Sequence, residues 1–234
     1  RDDVESRGLG DVYKRQAVIT ASYGPVVQNV TVTVADGRFW YSLGNGLGNG
    51  LDNNWYLDGN NASVVSSDGN KTTVQMGSGY RGDLWLARSG KGKIVNVTPA
   101  DYRYFAIKVG FKSQLVPGKN KPNGCIKLEI FDDGIKKIGP EYFGTGGDAN
   151  NRYEILGASE ISTTEPNVLY YDLQSKYKTV TPTDWNQVFD LVQCKFVIAD
   201  FPETAQTYDL YWIRSFKSIE ELQAFVDSEN NTNE

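Results

Sequence analysis

The sequence predicts an all-β protein, an antiparallel jelly-roll β-sandwich with a short C-terminal α-helix. Residues 207–216 alternate in polarity and are rich in aromatic and β-branched side chains, which is typical of a strand. Short runs of this kind recur along the chain with Gly, Asp and Asn turn signals between them, as in sandwiches and jelly rolls. Near the C-terminus, Ser218 and Glu221 form a capping box ahead of an apolar stripe containing Leu222 and Phe225, which predicts one helix.

The strand at residues 207–216 is predicted to lie centrally in its sheet, because both of its faces carry apolar side chains. Strict alternation places Tyr208, Leu210, Trp212 and Phe216 on one face. Residues 191–199 form a preceding strand, and the loop between the two is too short for a helical crossover. The sequence therefore predicts that these two strands pair in the antiparallel sense.

The first 16 residues are expected to be artefactual. Residues 6–16 resemble the translation of a sequencing-library adapter, and such segments are excluded from fold reasoning. The alternative is a genuine basic N-terminal arm. On the adapter interpretation the natural N-terminus is missing, so the lack of a signal peptide does not inform localisation.

Residues 17–35 contain two β-rich runs separated by Tyr23-Gly24-Pro25, which predicts a turn. This stretch resembles the closing hairpin of the IPT/TIG immunoglobulin-like domains. It is either the tail of such a domain, truncated, or the leading strands of the main domain. The main sandwich domain is predicted over residues 36–227, and a disordered polar tail over residues 228–234.

Composition and charge exclude several classes of function. The chain has no histidine, which excludes His-ligated zinc sites and Ser-His-Asp or Cys-His triads. The net charge is −5 with both signs interspersed, and the absence of a clustered basic patch argues against a nucleic-acid partner. No apolar run is long enough to predict a membrane-spanning segment.

The two cysteines, Cys125 and Cys194, both fall at predicted strand positions. Two buried free thiols are the favoured interpretation. A disulfide remains the alternative if the two strands are neighbours, because the distance between the two cysteines decides whether a disulfide can form.

Residues 43–51 carry a small Leu-Gly-Asn-Gly repeat. A phosphate-binding loop needs a strand before it and a helix after it, and no helical periodicity follows here. We therefore expect a flexible loop.

Carboxylates do not predict catalysis in this sequence. Jelly-roll glycosidases need two facing carboxylates, often as E-x-D-x-x-E on one strand, and Phe131 stands where the Asp after Glu129 would be. We expect no enzyme activity and no cofactor. A structural Ca²⁺ is compatible with loop acids, and the loosely eligible ones are Asp36, Asp52, Asp58 and Asp132.

Aromatic residues among amides and acids give the candidate ligand-binding site. Flat aromatic rings pack on the C–H faces of sugars, and neighbouring polar side chains bind the hydroxyl groups. Two stretches, 53–58 and 81–85, have this composition; the alternative for their tryptophans is a place in the core. The candidate residues are Asn53, Trp55, Tyr56, Asp58, Arg81, Asp83 and Trp85.

Residues 208–225 resemble the C-terminus of uncharacterised surface-lipoprotein sandwich domains from glycan-degrading Bacteroidetes, and residues 81–83 and 102–109 are similar to them too. The resemblance implies a galactose-binding-like jelly roll beside glycan-utilisation machinery. It also implies a secreted or outer-surface location, with a lipid anchor in the missing N-terminus. It brings no catalytic residues.

These observations together predict a non-catalytic glycan-binding module whose partner is a polysaccharide or oligosaccharide. The alternatives are a structural spacer domain and a glycoside hydrolase or lyase on a jelly roll. Exposure of Trp55 and Trp85 discriminates between them, because a spacer exposes no aromatic platform.

Overall fold

The computed structural model describes residues 14–23, 26–35, 38–48, 54–57, 62–76, 82–88, 91–92, 95–98, 100–114, 127–132, 141–144, 153–174, 189–198 and 206–231. Its strands are β1 (Lys14–Tyr23), β2 (Val26–Ala35), β3 (Trp40–Ser42), β4 (Tyr56–Leu57), β5 (Ala62–Ser67), β6 (Thr72–Met76), β7 (Gly82–Arg88), β8 (Lys91–Gly92), β9 (Val95–Val97), β10 (Tyr104–Phe111), β11 (Lys127–Asp132), β12 (Glu141–Gly144), β13 (Glu154–Ile155), β14 (Asn167–Asp172), β15 (Phe189–Ile198) and β16 (Thr207–Phe216). One helix, α1 (Ile219–Asn231), follows β16 directly.

Two antiparallel sheets form the sandwich and confirm the predicted fold class. The first sheet has the order β13-β14-β10-β16-β6-β5, with β3 also paired to β16. The second has the order β12-β11-β15-β7-β4, with β8 on β7 and β9 on β15. The central orders 14-10-16-6 and 12-11-15-7 are those of a jelly roll, in which the chain passes back and forth between two sheets.

The core lies between the sheets and follows from the period-two alternation of the strands. Phe105 and Ile107 of β10 point into it from the first sheet, and Leu84 and Leu86 of β7 from the second. Phe196 of β15 is fully buried among them. Each such side chain contributes roughly 1.5–3 kcal/mol by leaving water, so this layer dominates the stability of the sandwich.

The last strand, β16, is central as predicted, but its neighbours are not the predicted ones. It pairs with β10 on one side and with β6 and β3 on the other, whereas β15 belongs to the second sheet. The predicted pairing of β15 with β16 is therefore wrong. A short connection between two strands is therefore compatible with a change of sheet as well as with a hairpin.

A β-bulge at Tyr211 also overturns the predicted single face of β16. Trp212 is opposite Lys108 and Leu210 is opposite Val109, so Tyr211 is the extra residue. The extra residue reverses the alternation beyond it. Tyr208, Leu210 and Ile213 consequently face the core between the sheets, whereas Trp212 and Phe216 face α1.

The helix α1 covers the outer face of the first sheet, and Ser218 caps it as predicted, although Glu221 accepts from the residue before the cap and not from Ser218 itself. Ser218 Oγ accepts the Glu221 N–H at 3.2 Å, and Glu221 Oε2 accepts the Lys217 N–H at 2.7 Å. Leu222 is fully buried beneath the helix, and the Phe225 ring centroid lies within 5.6 Å of the centroids of the Trp40, Trp212 and Phe216 rings.

The tail predicted to be disordered from residue 228 is helical as far as Asn231. Glu229 holds this last turn to the sheet, since its Oε2 accepts hydrogen bonds from Trp212 Nε1 at 3.0 Å and Lys108 Nζ at 3.1 Å. Arg214 adds an ion pair to Glu229 at 3.6 Å. Residues 232–234 lie outside the described residues. In the described part of the chain, no helix has the length and apolar character needed to cross a membrane.

The hairpin β1–β2 forms a two-stranded sheet of its own, with Tyr23 opposite Val26 at its turn. Among the described residues it pairs with neither sandwich sheet. It begins at Lys14, inside the segment predicted to be artefactual, so residue 16 is not a structural boundary. Residues 1–13 lie outside the described residues, and the origin of residues 17–35 stays a prediction.

The glycine-rich stretch is a loop where it is described, in residues 43–48, and it packs against the residues around β6. Thr72 Oγ1 donates to the Leu43 carbonyl and accepts the Gly46 N–H at 3.1 Å. At Gly44 an added Cβ would lie 2.1 Å from the Gly69 carbonyl oxygen, so only glycine fits. This close approach ties the loop to the turn between β5 and β6.

Candidate functional site

Trp55 is a core residue, and its predicted role as an exposed sugar platform is wrong. Its side chain is 0% exposed. The ring lies 5.9 Å from Tyr41 and 5.7 Å from Phe196, centroid to centroid, between the two sheets. The cause is strand alternation: β4 pairs with β7, and Leu57 also packs on the core, so Trp55 points inward and Tyr56 outward.

Trp85 lies on the outer face of the second sheet, but it does not present a free ring. It is 6% exposed, and Lys195 Nζ lies 4.4 Å from its ring centroid. Lys195 also donates to Asp83 Oδ2 at 2.9 Å, so the predicted ligand-binding carboxylate is engaged in a buried ion pair. The predicted roles of Trp85 and Asp83 as an open platform are therefore wrong.

The structure does bring three predicted site residues together. Tyr56 lies directly opposite Trp85 across the β4–β7 pair. Asp83 precedes Trp85 by two residues in β7 and therefore lies on the same face of the sheet. Lys195 of β15 lies opposite Trp85 and belongs to the same group. The alternation of β15, which places Lys195 on the face opposite Cys194 and Phe196, could have predicted its orientation. Asn53, Asp58 and Arg81 lie outside the described residues, and their roles remain predictions.

The buried carboxylates of the described residues are bound by cationic side chains. Asp209 in β16 accepts hydrogen bonds from Lys71, Lys112 and Thr73. Burial alone would raise the pKa of Asp209, but these bonds outweigh it and hold the pKa below its ordinary value. A glycosidase general acid needs the opposite shift.

The described residues bear on the predicted calcium site and on the predicted free thiols. Within the described residues, no group of three or more Cys, Asp or Glu side chains could hold a metal ion. The calcium candidates Asp36, Asp52 and Asp58 lie outside those residues, as does the side chain of Asp132. Cys194 is a buried free thiol whose pKa is raised by burial, and Cys125 is not described.

A pair of half-buried tyrosines lies on the outer face of the first sheet, beside α1. Tyr104 begins β10 and Tyr170 lies in β14, and the antiparallel register places Tyr104 opposite Asp172 and Tyr170 opposite Ala106. The two rings are therefore diagonal neighbours, with centroids 6.1 Å apart and planes at 75°. This is the edge-to-face arrangement that aromatic pairs prefer.

Charged side chains hold fixed positions around this pair. Arg103 Nε and Nη2 each donate to one oxygen of Asp172 at 2.6 Å, which is a bidentate ion pair. The Arg103 guanidinium carbon lies 5.2 Å from the Tyr104 ring centroid. Glu154 of the edge strand β13 is opposite Tyr170 and exposed. We call these five residues, Arg103, Tyr104, Glu154, Tyr170 and Asp172, the tyrosine site.

The hydroxyl of Tyr170 keeps its proton at neutral pH. Burial raises the pKa of Tyr170, and the nearby carboxylate of Glu154 raises it further. Hydrogen bonding to Asp172 likewise raises the pKa of Arg103, so the guanidinium stays charged. The site thus combines two aromatic faces, a phenol donor and two carboxylate acceptors.

The tyrosine site was not predicted from the sequence, because the aromatic candidates were taken from the stretches 53–58 and 81–85. The alternation of β10 was predicted correctly, with Tyr104, Ala106 and Lys108 on the face opposite Phe105 and Ile107. That face was the available signal. What the sequence lacked was the register that brings β14 beside β10.

The fold and this surface define a jelly-roll β-sandwich domain with a partly exposed aromatic pair set among charged side chains. The chain belongs to the family described as a domain of unknown function, DUF4979, whose model matches residues 46–222. The match runs from the glycine-rich stretch to the first turn of α1 and so includes β4 to β16. No curated protein and no solved structure matches the chain.

Proposed function

We propose that this protein is a non-catalytic glycan-binding module that binds polysaccharides or oligosaccharides at the tyrosine site. The observation that supports it is the partly exposed edge-to-face pair of Tyr104 and Tyr170. Aromatic rings of this kind offer rigid contact area at low entropic cost, and the C–H face of a sugar ring can pack on them.

The charged residues around the pair supply the directional contacts that a sugar needs. The bidentate bond from Arg103 fixes the carboxylate of Asp172, and Gln174 N–H donates to the same carboxylate at 2.9 Å. Glu154 is exposed at the edge of the sheet and accepts hydrogen bonds from hydroxyl groups. Such a preformed arrangement loses little conformational entropy when a ligand binds.

The affinity of one such site is modest because the surface is a sheet face and not a deep pocket. We expect dissociation constants on the order of micromolar to millimolar for single oligosaccharides. A surface-displayed module of this strength works by avidity, since several copies or sites bind one polymer.

An array of plant, host and microbial polysaccharides tests the proposal. We expect the wild-type protein to bind at least one class of glycan, and Tyr104→Ala to reduce that signal. Tyr56→Ala is the comparison variant, because Tyr56 is also half-buried but belongs to the candidate group on the second sheet, where Lys195 occupies Asp83 and Trp85; it should keep the signal. An array without any bound glycan would count against the proposal, and so would an equal loss of signal in both variants.

We further propose that the protein acts at the surface of a Bacteroidetes cell, anchored as a lipoprotein by sequence that precedes the domain. The support is the resemblance of residues 208–225 to surface-lipoprotein sandwich domains of the galactose-binding-like type. We also propose that residues 1–16 are adapter-derived, because residues 6–16 resemble a translated adapter. The complete gene tests both statements, because it must encode a lipoprotein signal and must lack the adapter sequence.

A structural spacer is the second candidate, and the burial of Trp55 and Trp85 favours it. In a spacer, large aromatic residues serve the core and the outer faces bind nothing. The glycan array separates the two functions directly. A spacer gives no signal at all, whereas a binding module gives one that depends on Tyr104.

A further inference from the structure

Two lysines converge on one buried carboxylate at the end of β10 opposite the tyrosine site. Asp209 has a side chain that is 1% exposed, and its Oδ2 accepts bonds from Lys71 Nζ at 2.8 Å and Lys112 Nζ at 2.7 Å. Because both bonds end on the same oxygen, the two nitrogens lie at most 5.5 Å apart, the sum of the two distances. We call Lys71 and Lys112 the lysine pair.

The lysine pair carries more positive charge than Asp209 can balance. Asp209 is ionised at neutral pH, since its pKa is held below the ordinary value, and it supplies one negative charge to two ammonium groups. The pKa of Lys71 is raised by its hydrogen bond to Asp209, so that ammonium group stays charged. Asp68 also interacts electrostatically with Lys71, but it is exposed, so solvent screens its charge, and its Oδ1 accepts the backbone N–H groups of Asn70 and Lys71 at 2.9 Å.

Both ammonium groups reach solvent. The side chains of Lys71 and Lys112 are 32% and 51% exposed. An ammonium group has three N–H donors, and Asp209 takes one from each lysine in the described contacts. Two donors on each nitrogen therefore remain for an acceptor that approaches from solvent, and an anionic oxygen group can bridge nitrogens this close.

Gly110 is the residue opposite Asp209, and its lack of a side chain leaves space beside the lysine pair. A Cβ at Gly110 would lie 3.5 Å from Asp209 Cβ and 3.5 Å from Tyr211 Cε2. The bulged Tyr211 is half-buried next to this glycine, and burial raises the pKa of its hydroxyl, which stays protonated. Tyr211 thus adds a neutral donor and an aromatic edge beside the two ammonium groups.

We propose that the lysine pair binds an oxyanion group of the ligand, a uronate carboxylate or a sulfate ester, so that the glycans bound by this protein are acidic. The inference rests on the proposed glycan binding and narrows it to one chemical class. Tyr104 and Lys112 are separated by roughly 26 Å along β10 and the residue that follows it, at about 3.3 Å per residue. Between them, Ala106 packs against α1 and Lys108 bonds Glu229 of α1, so the lysine pair is a contact point separate from the tyrosine site.

Calorimetric titration with three probes tests the inference. They are a tetragalacturonate, the same tetrasaccharide fully methyl-esterified, and a sulfated carrageenan oligosaccharide. The methyl ester is the matched ligand, since it removes the negative charge and leaves the sugar unchanged. We expect the wild-type protein to bind an anionic probe at least about fivefold tighter than the ester, and we expect the preference to weaken with added salt.

Variants assign the preference to the lysine pair. Lys112→Ala should abolish it, while Asp209 keeps its bonds to Lys71 and Thr73 and the fold is retained. Lys217→Ala is the matched control, because it removes an exposed positive charge at the other end of β16 and should keep the preference. If Lys112→Ala unfolds, Lys71→Ala takes its place, and the comparison of acid with ester on the wild-type protein needs no variant.

Each outcome either supports or overturns the inference that the lysine pair binds an oxyanion. A preference for the sulfated probe alone, lost in Lys112→Ala, supports the inference and assigns the oxyanion as a sulfate ester. Equal binding of acid and ester, or a preference that survives in Lys112→Ala, overturns it. If Tyr104→Ala lowers binding of all probes while Lys112→Ala changes nothing, glycan binding stands and the inference falls. If no probe binds and the glycan array is also empty, the proposed function itself falls.

Discussion

Substitution of Trp55 by alanine is the sharpest test of how the aromatic residues are used. The ring is fully buried and contacts the rings of Tyr41 and Phe196 across the core. Truncating a buried tryptophan to alanine costs about 3–5 kcal/mol, because transfer free energy is lost and a cavity remains. The two ring contacts place the cost at Trp55 toward the upper part of that range.

Thermal denaturation monitored by circular dichroism measures this loss. For a domain of this size, about 1 kcal/mol shifts the melting temperature by about 2–4 °C, so we expect Trp55→Ala to lower it by on the order of 10 °C. Trp55→Phe is the control, since it keeps an aromatic ring and should lose much less. A Trp55→Ala protein as stable as the wild type would refute the assignment of this ring to the core and restore it as a surface residue.

Three further predictions concern charges and boundaries. Lys195→Ala leaves Asp83 buried without its cation and should destabilise the protein by roughly 3 kcal/mol in urea unfolding, whereas Asp83→Asn with Lys195→Met should recover part of the loss. The pKa of Asp209 is lowered from 3.8, so its contribution to stability is present above that value and is lost as the pH falls through the folded-state pKa. The stability advantage of the wild type over Asp209→Asn should therefore hold at pH 6 and shrink as the pH falls below about 4, and an advantage independent of pH would be inconsistent with this ion pair. Deletion of residues 1–16 should leave the melting temperature of the sandwich unchanged, since β1 pairs only with β2 in the described part of the chain; a fall of several degrees would show that the segment belongs to the fold.

The sequence was sufficient for the fold class and for the local elements. Period-two alternation identifies strands such as β10 and β16, and the Ser218 and Glu221 capping box identifies the start of α1, because both signals arise from neighbouring residues. The length of α1 was underestimated. Its last turn is held by Glu229 against Trp212, a contact with a different element that local composition does not reveal.

The details that decide the site depend on long-range register, which a single sequence does not specify. A one-residue bulge at Tyr211 turns Trp212 toward α1 and away from the core, although the alternation of the sequence is uninterrupted. Trp55 has polar neighbours in the sequence and was predicted to be an exposed ligand-binding residue. Its burial follows from the pairing of β4 with β7. β4 has only two residues, and a strand this short shows no alternation in the sequence that could predict it.

The tyrosine site is invisible in the sequence for the same reason. Tyr104 and Tyr170 are far apart along the chain and meet only because β10 and β14 pair in one register. The lysine pair likewise joins β6, β10 and β16 through Asp209. Each of these residues taken alone fits an ordinary solvated strand face.

The measurement that tests glycan binding at the tyrosine site most directly is the affinity of Tyr104→Ala for a glycan that the wild type binds. Tyr104 makes its described contacts with Tyr170 and Arg103 and adds little to the core, so the variant should fold normally. By analogy with aromatic stacking on nucleic-acid bases, we expect titration calorimetry to show a loss of roughly 1–3 kcal/mol in binding free energy, with Tyr56→Ala unchanged. Unaltered affinity in a folded Tyr104→Ala protein would contradict the account, because the sugar would then be bound elsewhere.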